Sequence, residues 1–225
     1  MENVMIGISH VNRIFPVPGG EFQALKDICA EIPAGTLTIL KGRSGSGKTT
    51  LMNIIGALDA PSSGTIHIAG SDIWKLSDRE RENLRRREMG FVFQAVSLLP
   101  AMNAQQNVEF AMRMAGIKSA REREKRAQEC LRLVGLGNRM HHMPAEMSGG
   151  EQQRTAIAKA ISHRPKLILA DEPTAELDSA MAAQVVKLFK ELTKEEGITI
   201  LMTTHDVGLM DAGDLTIELE NGVRK

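Results

Sequence analysis

Residues 42–49, with the sequence Gly-Arg-Ser-Gly-Ser-Gly-Lys-Thr, constrain the possible fold of this chain more than any other stretch. They fit the pattern G-x-x-x-x-G-K-[ST], in which a glycine-rich turn directs backbone N–H groups toward phosphate oxygens. The apolar, β-branched run at 36–40 predicts a strand before the turn, and the run at 50–56 predicts a helix after it. Because this is the context that the pattern requires, the sequence predicts a nucleotide site in which Lys48 reaches the β- and γ-phosphates and Thr49 holds Mg²⁺.

The pattern alone leaves two questions open. A glycine-rich turn can be purely structural, although the flanking strand and helix make that reading poor. The pattern also does not distinguish a kinase from a GTPase or an ATPase. The rest of the chain has to decide between them.

Composition limits the function classes that are compatible with the chain. Its 225 residues suffice for one large domain, or for a core with a smaller lobe, and 42% hydrophobic content allows a sizeable core. A formal net charge of zero disfavours nucleic acid as a partner. We expect no secretory signal and no membrane helix, so any membrane role has to come through a partner. Cys29 and Cys130 are expected to be reduced, buried thiols.

The hydrophobic pattern predicts an α/β protein with a helical middle part. Residues 4–31 are typical of β-structure interrupted by a turn at 16–20, and residues 77–88 of a solvated helix. From residue 97 to about 144 the β signal is replaced by two helices, at 104–114 and 119–135. The adjacent His141 and His142 indicate a loop rather than a metal site.

Polar residues follow three apolar runs that predict buried strands. Gln94 ends the run at 89–93, and Asp171 and Glu172 end the run that begins at Lys166. Beside the phosphate turn, Asp171 is suited to hold Mg²⁺ and Glu172 to polarise a water molecule against the γ-phosphate. The alternative is that these acids only cap a helix. A capping role could account for one of the two acids, but it accounts poorly for both. His205 follows the strand predicted at 198–203 and is a candidate γ-phosphate contact.

A second anion site is predicted at Ser148. This residue can cap a helix whose exposed N–H groups and positive end favour a phosphate. Two phosphate-binding helix ends in one chain suggest that each serves the nucleotide of a different subunit.

The order of these features resembles the ATP-binding-cassette (ABC) ATPases along almost the whole chain. The resemblance rests on Walker A at 42–49, the Q-loop Gln94, the signature at 148–152, Walker B at 167–172, the D-loop at 176–178 and the switch His205. It implies an α/β, RecA-like P-loop NTPase core with an N-terminal antiparallel β-subdomain and an α-helical insertion. It further implies one domain over 1–225, with a core of about 1–94 and 145–225 and a helical subdomain of about 95–144.

The resemblance also implies roles for individual residues. The catalytic residues would be Lys48, Gln94, Glu172 and His205, and Mg²⁺ would be held by Thr49, Gln94 and Asp171. From its position alone, Phe15 would be interpreted as an ordinary strand residue. The resemblance implies instead that Phe15 stacks on adenine, where the family usually has Tyr. ATP would further contact Gly42, Ser44, Gly45, Ser46, Gly47, Lys48, Thr49, Thr50, Ser148, Gly149, Gly150 and Gln152.

More narrowly, the chain is similar to the compact subgroup of ATPases of the MacB, LolD and FtsE type. The stretches that carry this similarity are 91–94, 98–100 and 170–178. The chain departs from the subgroup at Ala95-Val96, at Met147 in place of Leu, and in a short segment at 207–214. None of these departures affects the predicted catalytic residues.

The resemblance implies hydrolysis of ATP, with Mg²⁺, by a head-to-tail dimer that drives a membrane permease of the MacB or FtsX type. The chain would then lie at the cytoplasmic face of the cell membrane, soluble when alone and without a nucleic-acid partner. One alternative is a soluble ABC ATPase, for example in cluster assembly. Another is an FtsE-like division or signalling ATPase that gates a membrane protein without transport.

Overall fold

Two β-sheets organise the computed structural model, which describes residues 4–204, 207–210 and 212–225. One sheet has four strands in the order β2-β1-β4-β5, and the other has six in the order β10-β9-β3-β8-β7-β6. Helices cover the six-stranded sheet and separate its strands in sequence. The α/β fold class with an antiparallel β-subdomain and a helical insertion is therefore confirmed.

The four-stranded sheet is antiparallel and forms the predicted β-subdomain. Its strands are β1 (Val4–Val17), β2 (Gly20–Pro33), β4 (Ser63–Ile68) and β5 (Ser71–Asp72). Strands β1 and β2 form a long hairpin whose pairing runs from Val4 and Pro33 to Val17 and Gly20. The buried side chains of Ile6 and Ile8 alternate with more exposed neighbours, as expected for a sheet with one buried face.

The six-stranded sheet is parallel from β9 to β6. Its strands are β3 (Leu37–Lys41), β6 (Met89–Val92), β7 (Leu167–Ala170), β8 (Thr199–Thr203), β9 (Leu215–Glu220) and β10 (Val223–Arg224). All residues of β7 and β8 are buried, which explains their nearly continuous apolar sequence. Because the parallel strands point the same way, the segments that follow β3, β6, β7 and β8 meet at one edge of the sheet.

Side-chain caps define where most of the helices begin. The helices are α1 (Lys48–Ile55), α2 (Asp78–Glu88), α3 (Ala104–Met114), α4 (Ala120–Leu133), α5 (Gly149–Ile161), α6 (Ser179–Glu195) and α7 (Val207–Met210), with a 3₁₀ turn at Pro144–Glu146. The side chains of Ser119, Ser148 and Asp178 each accept a hydrogen bond from the N–H three residues on, and the cap at Ser148 was predicted.

Two apolar clusters fill the interior. One joins the parallel sheet to α3, α4, α5 and α6, and includes the fully buried Phe189. The other joins the β-subdomain to α1 and the opposite face of the parallel sheet. The insertion formed by α3 and α4 packs on α5, so it is continuous with the first cluster. The domain boundaries at about 94 and 145 stay a prediction.

One local prediction is wrong. Cys29 is exposed because it lies on the solvent side of β2, whereas Cys130 is buried and its burial raises the pKa of its thiol to about 11. Helix α5 begins at Gly149, directly after its predicted cap Ser148, although two glycines have low helix propensity. Within the described ranges no helix is both long and apolar enough to cross a membrane.

Candidate active site

The phosphate turn lies between β3 and α1. Gly45 and Gly47 have φ angles of 76° and 101°, which favour glycine. A Cβ atom at Gly47 would lie 2.8 Å from the Ala24 carbonyl oxygen, so this position excludes any side chain. The Ser46 hydroxyl is buried and has no hydrogen-bond partner within the described part of the chain. This unpaired donor inside the turn fits a phosphate-binding loop.

Lys48 is buried at the first turn of α1, where it lies against the backbone of the same loop. Its ammonium group donates to the carbonyl oxygens of Gly42 and Arg43, at 2.8 and 3.1 Å. Burial lowers the pKa of Lys48, while the charges of Glu172 and Asp171 act to raise it. A partly desolvated cation next to two carboxylates is suited to bind a phosphate anion.

Thr49 and Asp171 come together, as a shared Mg²⁺ site requires. The Thr49 hydroxyl donates to Asp171 Oδ2 at 3.0 Å, across 122 positions of sequence. Thr203 Oγ1 donates to the other carboxylate oxygen, Asp171 Oδ1, at 2.7 Å. One hydroxyl and one carboxylate are ligands that Mg²⁺ prefers, and they leave room for phosphate oxygens and water. The side chains present therefore fit Mg²⁺ with a nucleotide.

Thr203 is a site residue that the sequence reasoning missed. Its hydroxyl also accepts the backbone N–H of Glu172 at 2.8 Å, so a single side chain contacts both acidic positions. In the sequence, this role is indicated by the position of Thr203, a polar residue at the end of a mostly apolar strand and two positions before His205.

Glu172 is held in an uncommon backbone conformation. Its φ is 48°, and a non-glycine residue in this region carries a strain of about 1–3 kcal/mol. Glu172 lines a cleft of about 210 Å³ together with Thr174 and the D-loop residue Leu177. The charge of Glu172 acts on Lys48, so this acid lies at the same sheet edge as Asp171.

Gln94 follows β6 and Phe15 lies in β1, and their proposed contacts with Mg²⁺ and adenine stay predictions. Gln94 is exposed just after β6, and β6 is tied to the acids because the Asp171 N–H donates to the Val92 carbonyl at 2.8 Å. Phe15 lies in β1 opposite Phe22, with the Arg13 guanidinium 4.3 Å from its ring centroid. A partly exposed ring with a cation on one face can stack a base on the other.

The signature segment forms the start of α5. Ser148 Oγ accepts the Glu151 N–H, and Glu151 Oε2 accepts the Ser148 N–H at 2.9 Å, which makes a capping box. The bond from the Ser148 backbone, aided by Arg139, lowers the pKa of Glu151 against the opposing effect of burial. Gln152 donates to the carbonyls of Pro144 and Met147, at 2.9 and 3.1 Å, so its amide stabilises the segment that precedes α5.

The D-loop packs on the two signature glycines. A Cβ atom at Gly150 would lie 3.2 Å from Leu177 Cδ2, and one at Gly149 would lie 3.7 Å from Glu176 Oε2. Small residues therefore let the D-loop approach the N-terminus of α5 closely. This contact connects the segment after Glu172 to the signature of the same chain.

The predicted site residues thus form two groups in the structure. The first contains the phosphate turn, Lys48, Thr49, Asp171 and Glu172, which meet at the carboxyl edge of the parallel sheet. The second contains Ser148–Gln152, which contact residues 139–147 and the D-loop. His205 lies outside the described residues. The roles proposed for all of these residues stay predictions.

Comparison with known proteins places this geometry among ATP-binding cassettes. A family model described as ABC transporter matches residues 25–175. The chain is 39% identical to a lipoprotein-releasing system ATP-binding protein, LolD 2, of Caulobacter vibrioides, over 99% of this chain and 97% of that protein. It is 42% identical to a macrolide export ATP-binding/permease protein, MacB, of Rhodopirellula baltica, over 97% of this chain and 32% of that protein.

A solved structure supports the same placement. The ATP-binding cassette MJ0796 of Methanocaldococcus jannaschii, as a dimer in a post-hydrolysis state with ADP and Pi, matches with a TM-score of 0.93. The match has 38% identity and covers 98% of this chain and 97% of that chain.

Proposed function

This chain belongs to the ABC transporter family, and we propose that it hydrolyses ATP as a head-to-tail dimer that drives a membrane permease. It is an ATPase of that family and uses ATP with Mg²⁺. The observation that carries the proposal is the hydrogen bond between Thr49 and Asp171, which joins the phosphate turn to the acidic strand end.

The first group of residues binds the nucleotide. Lys48 exchanges its bonds to the loop carbonyls for the β- and γ-phosphates, which is favourable because the phosphates carry full negative charge. Thr49, Asp171 and Gln94 would hold Mg²⁺, which would supply positive charge to neutralise the phosphates. Phe15 stacks on adenine, and the remaining contacts within this subunit come from Gly42, Ser44, Gly45, Ser46, Gly47 and Thr50.

Hydrolysis needs a water molecule in line with the γ-phosphate. Glu172 accepts a proton from that water as its oxygen bonds to phosphorus, and the bond from phosphorus to the ADP oxygen breaks. Thr203 keeps the backbone of Glu172 in place during this step. Gln94 would contact Mg²⁺ and His205 the γ-phosphate, which would complete the set.

The second group serves the ATP of a second copy. The N-terminus of α5 offers N–H groups and a positive dipole end, and its Gly149 and Gly150 let a phosphate approach the backbone. Ser148 and Gln152 complete that surface. Support for the arrangement comes from the dimer formed by MJ0796. ATP bound between two copies favours the closed dimer, and its hydrolysis removes that preference.

Glu172→Gln tests the dimer and the catalytic acid together. The amide keeps the shape of the side chain but cannot accept the proton, so the variant should bind ATP, lose hydrolysis and run as a dimer in size-exclusion chromatography with ATP. Glu195→Gln, on the exposed end of α6, is the matched control and should hydrolyse ATP normally. A Glu172→Gln chain that stays monomeric with saturating ATP contradicts the two-subunit site.

An apolar groove beside Gln94 supports a permease as the partner. It has a volume of about 300 Å³ and lies between β6, α3 and α5. Phe93 and Met114 on its wall are 41% and 52% exposed, which is unusual for large apolar side chains. A short amphipathic helix on the cytoplasmic side of a MacB- or LolD-type permease fits such a groove, and the MacB relative joins cassette and permease in one chain.

Met114→Glu tests the groove because it places a charge in the apolar contact. We expect loss of the cassette from gently solubilised membranes, measured by co-purification, while ATP-dependent dimerisation is unchanged. Leu133→Glu is the matched control, since Leu133 is also exposed, at 49%, but lies at the end of α4 outside the groove. Recovery of the natural chain only in soluble fractions contradicts the permease and favours a soluble ABC ATPase.

A further inference from the structure

His10, Asp27 and Cys29 form a cluster of metal-ligating side chains on the β-subdomain, apart from the ATP-binding residues. One potential ligand atom from each lies within 4.8 Å of the others. His10 Nδ1 and Asp27 Oδ1 are 2.8 Å apart, with the two side chains 74% and 70% exposed, and Cys29 is exposed as well. We propose that these three residues bind a Zn²⁺ ion.

A β-bulge brings the three ligands together. Ile8 pairs with Ala30 and Val11 with Ile28, so two residues of β1, Ser9 and His10, face the single Cys29 of β2. Without the extra residue, the side chain at position 10 would not be aligned with Cys29. The bulge therefore places a nitrogen ligand beside a sulfur ligand on the open side of the hairpin.

Side chains outside the cluster hold the backbone of each ligand residue. Asn12 donates to the His10 carbonyl at 3.0 Å and accepts the Asp27 N–H at 2.9 Å. Arg224 donates to the Cys29 carbonyl at 2.7 Å. These contacts fix the backbone positions from which the three side chains project. An exposed His–Asp pair adds little stability by itself, so stability alone does not account for this arrangement.

The ligand chemistry favours Zn²⁺ over Mg²⁺. Nitrogen, sulfur and carboxylate oxygen are the usual zinc ligands, at about 2.0–2.3 Å, which corresponds to ligand separations of about 3.3–3.8 Å in a tetrahedron. The three ligand atoms lie within 4.8 Å of one another, which is close to those separations. Binding replaces the Cys29 thiol proton with the metal and leaves one thiolate, one carboxylate and a neutral imidazole around the dication, with water as the fourth ligand.

Titration of the full chain with Co²⁺, a spectroscopic substitute for Zn²⁺, tests the site. We expect one Co²⁺ per chain to produce a thiolate-to-cobalt absorption band that added Zn²⁺ abolishes and excess Mg²⁺ does not. Cys29→Ser should remove the band. His10→Asn and Asp27→Asn, which both keep residues that tolerate the positive φ angles of 52° and 50°, should weaken Co²⁺ binding by at least about tenfold.

Two controls separate this site from other metal and thiol positions. Cys130→Ala removes the buried thiol and should keep the band. Asp171→Asn removes the Mg²⁺ ligand of the ATP site and should also keep it, so failure of the zinc site and failure of the proposed ATPase mechanism are distinguishable. Absence of the band in the natural chain overturns the proposal, as does its survival in Cys29→Ser or its loss in Asp171→Asn.

Discussion

At the scale of single residues, Thr203 contacts both acidic positions of the active site. Its hydroxyl donates to Asp171 Oδ1 and accepts the Glu172 N–H, so it orients the proposed metal ligand and the proposed base at once. Asp171 receives a second bond from Thr49, which limits the carboxylate to one orientation. A change at Thr203 should therefore affect catalysis without removing any group that contacts ATP directly.

Thr203→Val removes that hydroxyl while keeping the shape of the side chain. A lost hydrogen bond to a charged group is worth about 1.5–3 kcal/mol, so we expect the ATP turnover rate to fall about ten- to a hundredfold. Nucleotide affinity should change much less, because Lys48 and the phosphate turn are intact. Steady-state phosphate release and equilibrium binding of a nucleotide analogue provide the two measurements.

Thr199→Val is a matched control on the same strand. Thr199 is also buried, but its hydroxyl accepts the Gly35 N–H at the other end of β8. We expect it to lower thermal stability while the folded protein keeps its turnover rate. Equal loss of turnover in both variants would contradict a positioning role for Thr203.

At the scale of elements, the start of α5 combines a structural cap with a proposed phosphate site. The bond from the Ser148 N–H to Glu151 lowers the pKa of that carboxyl. A carboxyl with a lowered pKa in the folded state stabilises the protein above its unfolded pKa, and the contribution disappears as the pH falls through the folded pKa.

Glu151→Ala should consequently destabilise the chain in a pH-dependent way. We expect a loss of about 1 kcal/mol in the free energy of unfolding near neutral pH, typical of a helix cap. The difference from the natural chain should shrink as the pH falls below 4.5, the ordinary pKa of glutamate. Denaturant unfolding at several pH values measures both effects.

Glu151→Gln separates the charge from the hydrogen bond. Glutamine can still accept the Ser148 N–H in a capping box, so part of the stability should remain, with little dependence on pH. If Glu151→Ala and the natural chain differ equally at pH 7 and at pH 3, the carboxylate does not stabilise this helix.

The same element shows how far the sequence determines the fold. Most strands and helices were predictable because their apolar periods, glycines and caps are local signals. The start of α5 was predictable from the Ser148 cap, although two glycines weaken the helical pattern there. Strands β5 and β10 have two residues each, too few for a period. The contact of Thr203 with Asp171 joins residues 32 positions apart, so only the folded chain shows it.

At the scale of the whole molecule, the two groups of site residues should complement each other between copies. In a head-to-tail dimer, each ATP contacts the phosphate turn of one subunit and the signature of the other. Lys48→Ala damages the first half of a site, and Ser148→Arg blocks the second half with a bulky side chain. How the two changes are distributed between subunits then determines how many intact sites a mixed dimer keeps.

The number of intact sites can be measured as retained ATP in mixed dimers whose two subunits carry different affinity tags. Both subunits also carry Glu172→Gln, which prevents hydrolysis. When one subunit carries Lys48→Ala and the other Ser148→Arg, both defects fall in the same site and the second site is intact, so we expect one tightly retained ATP per dimer. When one subunit carries both changes and its partner neither, each site has one defect and retained ATP should be close to none. Equal retention in the two arrangements would mean that each subunit forms its ATP site alone.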